Sequence, residues 1–180
     1  MVISSVFVMK SFIVRSLILS ALVMLVGTFA MAQNETFSDT NADYTFAVPD
    51  AKWKMTVKPS ATSPNVEYVF GDRVEGHLEV RKIAIGKDEL VGELIQNGEE
   101  QKLQFLPGYV AGKNENFAGK LKGVVFNYEY VRAGKSMAGR FYYLRSGDTT
   151  LYVVRFTGLK DSLRSIRNQT DSIARTFGVK

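Results

Sequence analysis

Three alternating segments joined by very short turns constrain most strongly how this chain folds. Val124, Phe126, Tyr128 and Tyr130 occupy every second position of residues 121–132, which is the period of a half-buried strand. Residues 136–145 and 149–157 are predicted strands that follow after short Gly-containing turns. Because turns this short join antiparallel neighbours, residues 121–157 are predicted to form an antiparallel meander.

Strands are also predicted ahead of the meander. Alternation predicts strands at 44–48 and 53–57, a hairpin formed by 66–71 and 77–85, and a further strand within 109–117. Residues 33–42 are polar and are predicted to be a flexible lead-in, so that residues 43–180 form a single domain.

Two segments change to helical spacing. An apolar stripe that includes Leu94 and Ile95 predicts a helix over 87–105, with Asp88 as its cap. A second stripe at helical spacing predicts one C-terminal helix, capped by Asp161 and followed by Gly178. The residues of this stripe are Leu163, Ile166, Thr170, Ile173 and Phe177. The order of strands, helix, strands and helix predicts an α+β fold, an antiparallel β-sheet flanked by helices.

Residues 1–32 have the features of a secretory signal peptide. Lys10 and Arg15 precede an apolar run, no acidic residue is present, and Ala30-Met31-Ala32 forms an A-x-A cleavage site. Cleavage after Ala32 is therefore expected, which predicts an exported protein that is periplasmic or extracellular. The alternative is an uncleaved anchor, although the apolar run is shorter than the roughly 20 residues of a spanning helix.

Composition excludes several classes of site. The chain has no cysteine, and its one histidine is His77, so disulfides, thiol nucleophiles and sites needing two histidines are excluded. No catalytic constellation is recognisable, and we expect no enzymatic activity. Removal of the two basic residues of the signal peptide lowers the net charge from +5 to +3, which is too mild to indicate nucleic-acid binding.

Charge is nevertheless distributed unevenly. Residues 132–180 contain ten basic and three acidic residues. This basic third is a candidate docking surface for an acidic envelope protein or for an anionic membrane surface, with Arg164 and Arg167 as the candidate contacts. The alternative interpretation is a solvated surface with no partner. The oligomeric state is left open.

Two further groups of residues suggest ligands. Glu75, His77 and Glu79 alternate along one predicted strand, and two carboxylates beside a histidine are a ligand set for a divalent metal such as Zn²⁺ or Mn²⁺. The alternative is a solvated outer face. A second group consists of aromatic residues that form either a cleft wall or core, namely Tyr128, Tyr130, Tyr142, Tyr143 and Tyr152.

With these elements placed, the chain resembles the PsbP-like family. The resemblance begins at Tyr44-Thr45-Phe46, Pro49 and Trp53 and runs through the 88–105 segment and the 123–130 strand. It resumes at 151–158 and ends at 171–177. It implies an α/β/α sandwich around an antiparallel sheet. The founding members are non-enzymatic docking subunits of photosystem II, metal binding is associated with some, and other members are bacterial exported proteins.

Two hypotheses follow from these observations. The first is an exported, non-enzymatic binding or assembly module of the bacterial envelope, without a resident cofactor. The second is a periplasmic protein that binds a small ligand or a metal ion through the tyrosines or the Glu75/His77/Glu79 strand.

Overall fold

The structure is a computed structural model that describes residues 35–180, so the predicted signal peptide lies outside the described residues. Most of the described chain is antiparallel β-sheet. The strands before the first helical segment are β1 (Glu35–Ser38), β2 (Tyr44–Val48), β3 (Trp53–Val57), β4 (Val66–Phe70) and β5 (Asp72–Ala84). The later strands are β6 (Val110–Ala111), β7 (Glu115–Ala118), β8 (Lys122–Arg132), β9 (Lys135–Arg145), β10 (Thr150–Leu159) and β11 (Gly178–Val179).

The main sheet has the order β3-β4-β5-β10-β9-β8-β6, and β7 also pairs with β8. The predicted meander is confirmed as β8, β9 and β10, which pair antiparallel in sequence order. Its first turn is tight because Arg132 pairs directly with Lys135, leaving Ala133 and Gly134 as the two turn residues. The two halves of the sheet are joined by β5 and β10, which pair from Thr150↔Ala84 to Thr157↔His77.

Adjacent residues of a strand point to opposite faces, so the sheet has two core clusters. Tyr142 and Leu144 of β9 belong to the cluster covered by the C-terminal helices and by a small sheet, β1-β2-β11. Phe141 and Tyr143 belong to the other cluster, which is covered by Ile95 and its helical neighbours. The layer over Tyr142 and Leu144, predicted to be helical, therefore also includes a second, smaller β-sheet.

The predicted helix over 87–105 is shorter and irregular. It consists of α1 (Val91–Leu94), a π-helical stretch (Ile95–Glu100) and α2 (Gln101–Leu103). Leu90 stands at its start without a side-chain cap, so the predicted cap at Asp88 is wrong. Gly92 and Gly98 lie within it, and glycine costs about 1 kcal/mol relative to alanine in a helix interior.

The predicted C-terminal helix is divided in two, α3 (Lys160–Ser165) and α4 (Arg167–Thr176). Ile166 breaks the helix with φ −100° and ψ 14°. The predicted apolar stripe from Leu163 to Phe177 is nevertheless buried along its whole length. Asp161 is not the cap, and Gly178 belongs to β11 instead of ending the helix. Within residues 35–180, no helix is long and apolar enough to cross a membrane.

The prediction of a flexible lead-in is wrong for its described part. Glu35–Ser38 is strand β1, paired antiparallel with β2 from Glu35↔Val48 to Ser38↔Thr45. Phe37 anchors it, because its ring stacks on Phe46 at 4.8 Å between centroids and is only 3% exposed. A single buried aromatic thus fixes a segment whose polar neighbours suggested a loop.

Truncating Phe37 should test whether β1 is part of the core. We expect Phe37→Ala to lower the free energy of unfolding by about 3–5 kcal/mol, the usual result of removing a buried phenylalanine ring. Phe105→Ala is the matched control, because Phe105 is 82% exposed. It should change stability by less than about 0.5 kcal/mol. Urea unfolding of the two variants makes the comparison, and an equally small effect of both would show that β1 does not contribute to the fold.

Candidate functional site

A basic cleft lies where the C-terminal helices cross the edge of the main sheet. Its volume is about 370 Å³, and strands β6, β8 and β9 and helices α3 and α4 form its walls. Four basic side chains line it, and Glu129 is the only acidic one among its lining residues in the described chain. We call this cavity the basic cleft and define it by its cations, Arg140, Lys160, Arg164 and Arg167.

Arg140 of β9 is the most buried of these cations, with a side chain only 13% exposed. Its Nη1 donates to Asn127 Oδ1 at 2.7 Å, its Nη2 to Asp171 Oδ1 at 2.8 Å, and its Nε to the Tyr142 hydroxyl at 2.6 Å. These bonds use three of the five guanidinium N–H groups. The guanidinium therefore joins two strands of the sheet to helix α4 and fixes the floor of the basic cleft.

The charge state of this floor follows from its contacts. Burial alone would raise the pKa of Asp171, but hydrogen bonds from Tyr142 and Arg140 outweigh it and hold that pKa below its usual value. Burial raises the pKa of the Tyr142 hydroxyl well above its usual value. At neutral pH the floor is therefore an ion pair of Arg140 and Asp171 beside a neutral tyrosine that donates to the carboxylate.

The other three cations stand at the rim. Lys160 Nζ lies 2.6 Å from Glu129 Oε2, and Arg164 pairs with Asp161 within helix α3. Arg167 Nη2 lies 3.9 Å from Glu115 Oε2. The side chains of Arg164 and Arg167 are 67% and 57% exposed. Exposed pairs of this kind contribute about 0–1 kcal/mol, so a carboxylate from another molecule can replace the internal partner at little cost.

The structure brings the two predicted docking residues together. Arg164 lies in the last turn of α3 and Arg167 begins α4, and both line the basic cleft on either side of the break at Ile166. Sequence reasoning did not find Arg140 or Lys160 as members of this site. Their positions in β9 and at the start of α3 carry no local signal, because only the pairing of strands and the packing of the helices bring them to the cleft.

The predicted metal site is not supported by the geometry. His77 Nε2 bonds to Glu67 Oε2 at 2.9 Å, and Glu79 pairs with Arg81 at 2.7 Å and with Arg155 at 3.8 Å. Glu75 is exposed. The three side chains thus have other partners or face solvent, and within residues 35–180 no group of three His, Cys, Asp or Glu residues is placed to hold a metal ion.

The tyrosines do not form one wall. Tyr142 and Tyr152 lie in the cluster under the C-terminal helices, whereas Tyr128 and Tyr143 lie in the cluster on the opposite face. All four are at most 4% exposed, so the interpretation of these residues as core is confirmed. Tyr130 is only partly buried and borders a different cavity.

Similarity to known proteins is found at the level of structure. No protein-family model matches the sequence, and no curated protein sequence matches it significantly. The structure is similar to that of cyanobacterial PsbP (CyanoP) from Synechocystis sp. PCC 6803, with a TM-score of 0.56, 16% identity, and coverage of 86% of this chain and 96% of that chain.

Two further solved structures share the fold. LpqN, described as involved in cell envelope biogenesis of Mycobacterium tuberculosis, matches with a TM-score of 0.53 and 15% identity, over 82% of this chain and 86% of that one. A protein of unknown function, PA94 from Pseudomonas aeruginosa, matches with a TM-score of 0.52 and 12% identity, over 82% and 97%. The resemblance to PsbP is therefore one of fold.

Replacing Asp171 should test whether the Arg140–Asp171 pair holds helix α4 on the sheet. Asp171→Asn leaves the Arg140 guanidinium without its counter-ion, and we expect the free energy of unfolding at pH 7 to fall by about 1.5–3 kcal/mol. Asp161→Asn is the matched control: it removes a 90% exposed partner of Arg164 and should have an effect of under about 0.5 kcal/mol.

The pH dependence gives a second readout of the same pair. Because the pKa of Asp171 is lower in the folded than in the unfolded protein, its stabilisation is complete above the unfolded value of about 3.9 and is lost as the pH falls through the folded value. The difference between wild type and Asp171→Asn should therefore shrink below about pH 4. A difference that does not change between pH 7 and pH 3 would contradict this assignment.

Proposed function

We propose that this protein is an exported, non-enzymatic binding or assembly module of the bacterial envelope, which docks on an acidic partner protein through the basic cleft. The observation that carries the proposal is the convergence of Arg140, Lys160, Arg164 and Arg167 on one cavity, where residues 35–180 place a single acidic lining residue. Cations arranged in this way attract and orient a carboxylate-bearing segment.

The structure of the basic cleft suits a docking mode in which its internal ion pairs are replaced by ion pairs with the partner. Its floor is held rigid by the buried Arg140 network, so a partner meets a preformed surface. Its rim cations are exposed and weakly paired, so they can turn to a partner's carboxylates. β6 is an edge strand of the main sheet, and the exposed Val110 on it adds an apolar contact beside the charges.

A binding role is favoured over catalysis by the residues of the basic cleft. Among its described lining residues the ionisable groups are three arginines, one lysine, Tyr128 and Glu129, which is paired with Lys160. Burial raises the pKa of the Tyr128 hydroxyl well above its usual value. General acid–base catalysis at neutral pH needs a group that exchanges protons near that pH, and histidine is the usual one. The single histidine of the chain, His77, does not line this cavity.

The envelope location rests on the predicted signal peptide of residues 1–32. LpqN, which has a similar fold, is described as involved in cell envelope biogenesis. We further assign the PsbP-like α/β/α arrangement to residues 43–180, with the 91–103 segment on one face and α3 and α4 on the other. The two core clusters, one under each of these helical layers, support it.

Charge reversal at the rim should test the proposal. We expect Arg164→Glu combined with Arg167→Glu to abolish co-purification of an acidic partner from the native envelope at low salt. Wild-type binding should weaken as salt rises, because screening shortens the range of the attraction. Lys54→Glu combined with Lys58→Glu is the matched control, with the same change in net charge on exposed residues at or near the opposite edge strand, β3.

Three outcomes would overturn the proposal. Equal partner recovery with both double variants would show that the basic cleft is not the docking site. Equal loss with both would show that only net charge matters. Binding of the purified protein to vesicles of anionic phospholipid, with no protein partner recovered, would replace the acidic protein by a membrane surface.

A further inference from the structure

A second cavity opens on the opposite face of the sheet, at the end that carries the turn between β8 and β9. Its volume is about 480 Å³, which is within the usual range of small-molecule sites. Residues of β5, β8, β9 and β10 line it, and its charged or ionisable lining groups, apart from Tyr130, are Arg73, His77, Arg132 and Lys135. We call this the hairpin cavity.

Arg132 and Lys135 form an unbalanced pair of like charges. They are direct cross-strand partners on either side of the turn, so their side chains project on the same face. Both are exposed, and neither has an acidic partner within 4.0 Å among residues 35–180. Like charges placed opposite each other destabilise a sheet. The described chain therefore supplies no counter-ion for Arg132 and Lys135.

The turn between them is strained as well. Gly134 has φ +73° and Ala133 has φ +51°, and no other non-glycine residue of the described chain has a positive φ. Turns of this shape normally use Asn, Asp or Gly at both positions. The tight turn keeps the two cations close together, and local strain of this kind is found most often at binding and catalytic sites.

The inner end of the hairpin cavity carries two basic residues that share one carboxylate. His77 Nε2 lies 2.9 Å from Glu67 Oε2, and Arg73 Nη1 lies 3.2 Å from the same oxygen. One carboxylate therefore serves two basic groups. Because an ionised carboxylate only accepts hydrogen bonds, Nε2 of His77 carries a proton, and the orientation of the ring is fixed.

The remaining lining is largely apolar. Tyr130 and Met137 are the next cross-strand pair inward from Arg132 and Lys135, and Val74 lies across the cavity from strand β5. The floor is formed by Thr157 and Gly158. Gly158 has no room for a side chain, since a Cβ there would lie 2.5 Å from the Glu75 carbonyl oxygen. The backbones of β10 and β5 therefore approach each other closely at this point.

We propose that the hairpin cavity binds a small organic anion with an apolar body, of the class of acyl or aryl carboxylates. The anionic head lies between Arg132 and Lys135, where it supplies the missing counter-charge and accepts charge-assisted hydrogen bonds. The apolar body packs on Tyr130 and Met137. This site is separate from the basic cleft and does not depend on the proposed docking function.

Titration with octanoate tests both halves of the ligand. The protein is produced from its full-length sequence, purified from the envelope, and followed by amide chemical shifts in nuclear magnetic resonance spectra. We expect saturable shifts at Ala133, Thr157 and Gly158, and none at Gly112, which lines the basic cleft. Acetate has the head without the body and octanol has the body without the charge. Each should bind at least about tenfold more weakly than octanoate.

Variants identify the cations responsible. Arg132→Glu combined with Lys135→Glu should weaken octanoate binding by about tenfold or more. The control, Lys54→Glu combined with Lys58→Glu, should bind like wild type, as should Arg164→Glu combined with Arg167→Glu. If the Arg132/Lys135 variant does not fold, Val74→Asp replaces it: Val74 is 44% exposed, and the new carboxylate should repel the ligand equally well.

The proposal is overturned by any of three results. The first is an octanol affinity equal to that of octanoate, which would show that the cations take no part. The second is a set of octanoate shifts centred on Gly112 or spread over the molecule. The third is wild-type octanoate affinity in a folded Arg132/Lys135 or Val74 variant. Each leaves the docking proposal intact, because that is tested with Arg164 and Arg167.

Discussion

The pairing of β5 with β10 is the interaction on which the rest of the structure depends. It joins the hairpin strands β3, β4 and β5 to the C-terminal meander and makes one sheet from segments far apart in sequence. β10 is buried on both faces where the strands meet: Val154 faces one core cluster, and Leu151 and Val153 face the other. β5 contributes Leu78 and Val80 to the first cluster and the partly buried Ile83 to the second. Because each cluster extends across this junction, neither helical layer has a complete surface to pack on without it. Closing so long a loop is entropically unfavourable, so the burial of apolar surface on both faces has to compensate.

A second constraint decides where the C-terminal helices lie on that sheet. Apolar contacts from Leu163 to Phe177 hold the helices down but do not specify their position along the strands. The Arg140–Asp171 pair does specify it, because burial removes the hydration of the guanidinium and only acceptors at the right positions compensate for that loss. Asn127 and Tyr142 supply two of those acceptors from the sheet, and Asp171 supplies the third from α4. The basic cleft is a consequence of this docking, since its walls are the two layers that the network joins.

Local patterns predicted the parts of the fold that local forces determine. The β8–β9–β10 meander and the buried C-terminal stripe follow from alternation, turn chemistry and helical spacing, all of which act within a few residues. β1 was missed because Phe37 acquires its role only when β2 lies beside it. The 91–103 segment deviates because its two glycines weaken a regular helix and because packing of Ile95 in the core overrides the local preference. Arg164 and Arg167 were found from composition, whereas Arg140 and Lys160 join them only through strand pairing and helix docking.

The basic residues concentrated in the C-terminal third of the sequence lie on both faces of the main sheet. β9 carries Lys135 and Arg140 on opposite faces, because their separation of five residues is odd and side chains alternate along a strand. One face therefore contributes to the basic cleft, and the other contributes to the hairpin cavity beside the β8–β9 turn. Their electrostatics differ. Arg140 is neutralised by a buried carboxylate and serves as a fixed floor, so the exposed Arg164 and Arg167 are the groups available to a large partner. Arg132 and Lys135 lack an acid within the described chain, and the apolar cavity beside them favours a small anion that can be enclosed. The two proposed sites thus share strand β9 but use its opposite faces, and the ligands proposed for them differ in size.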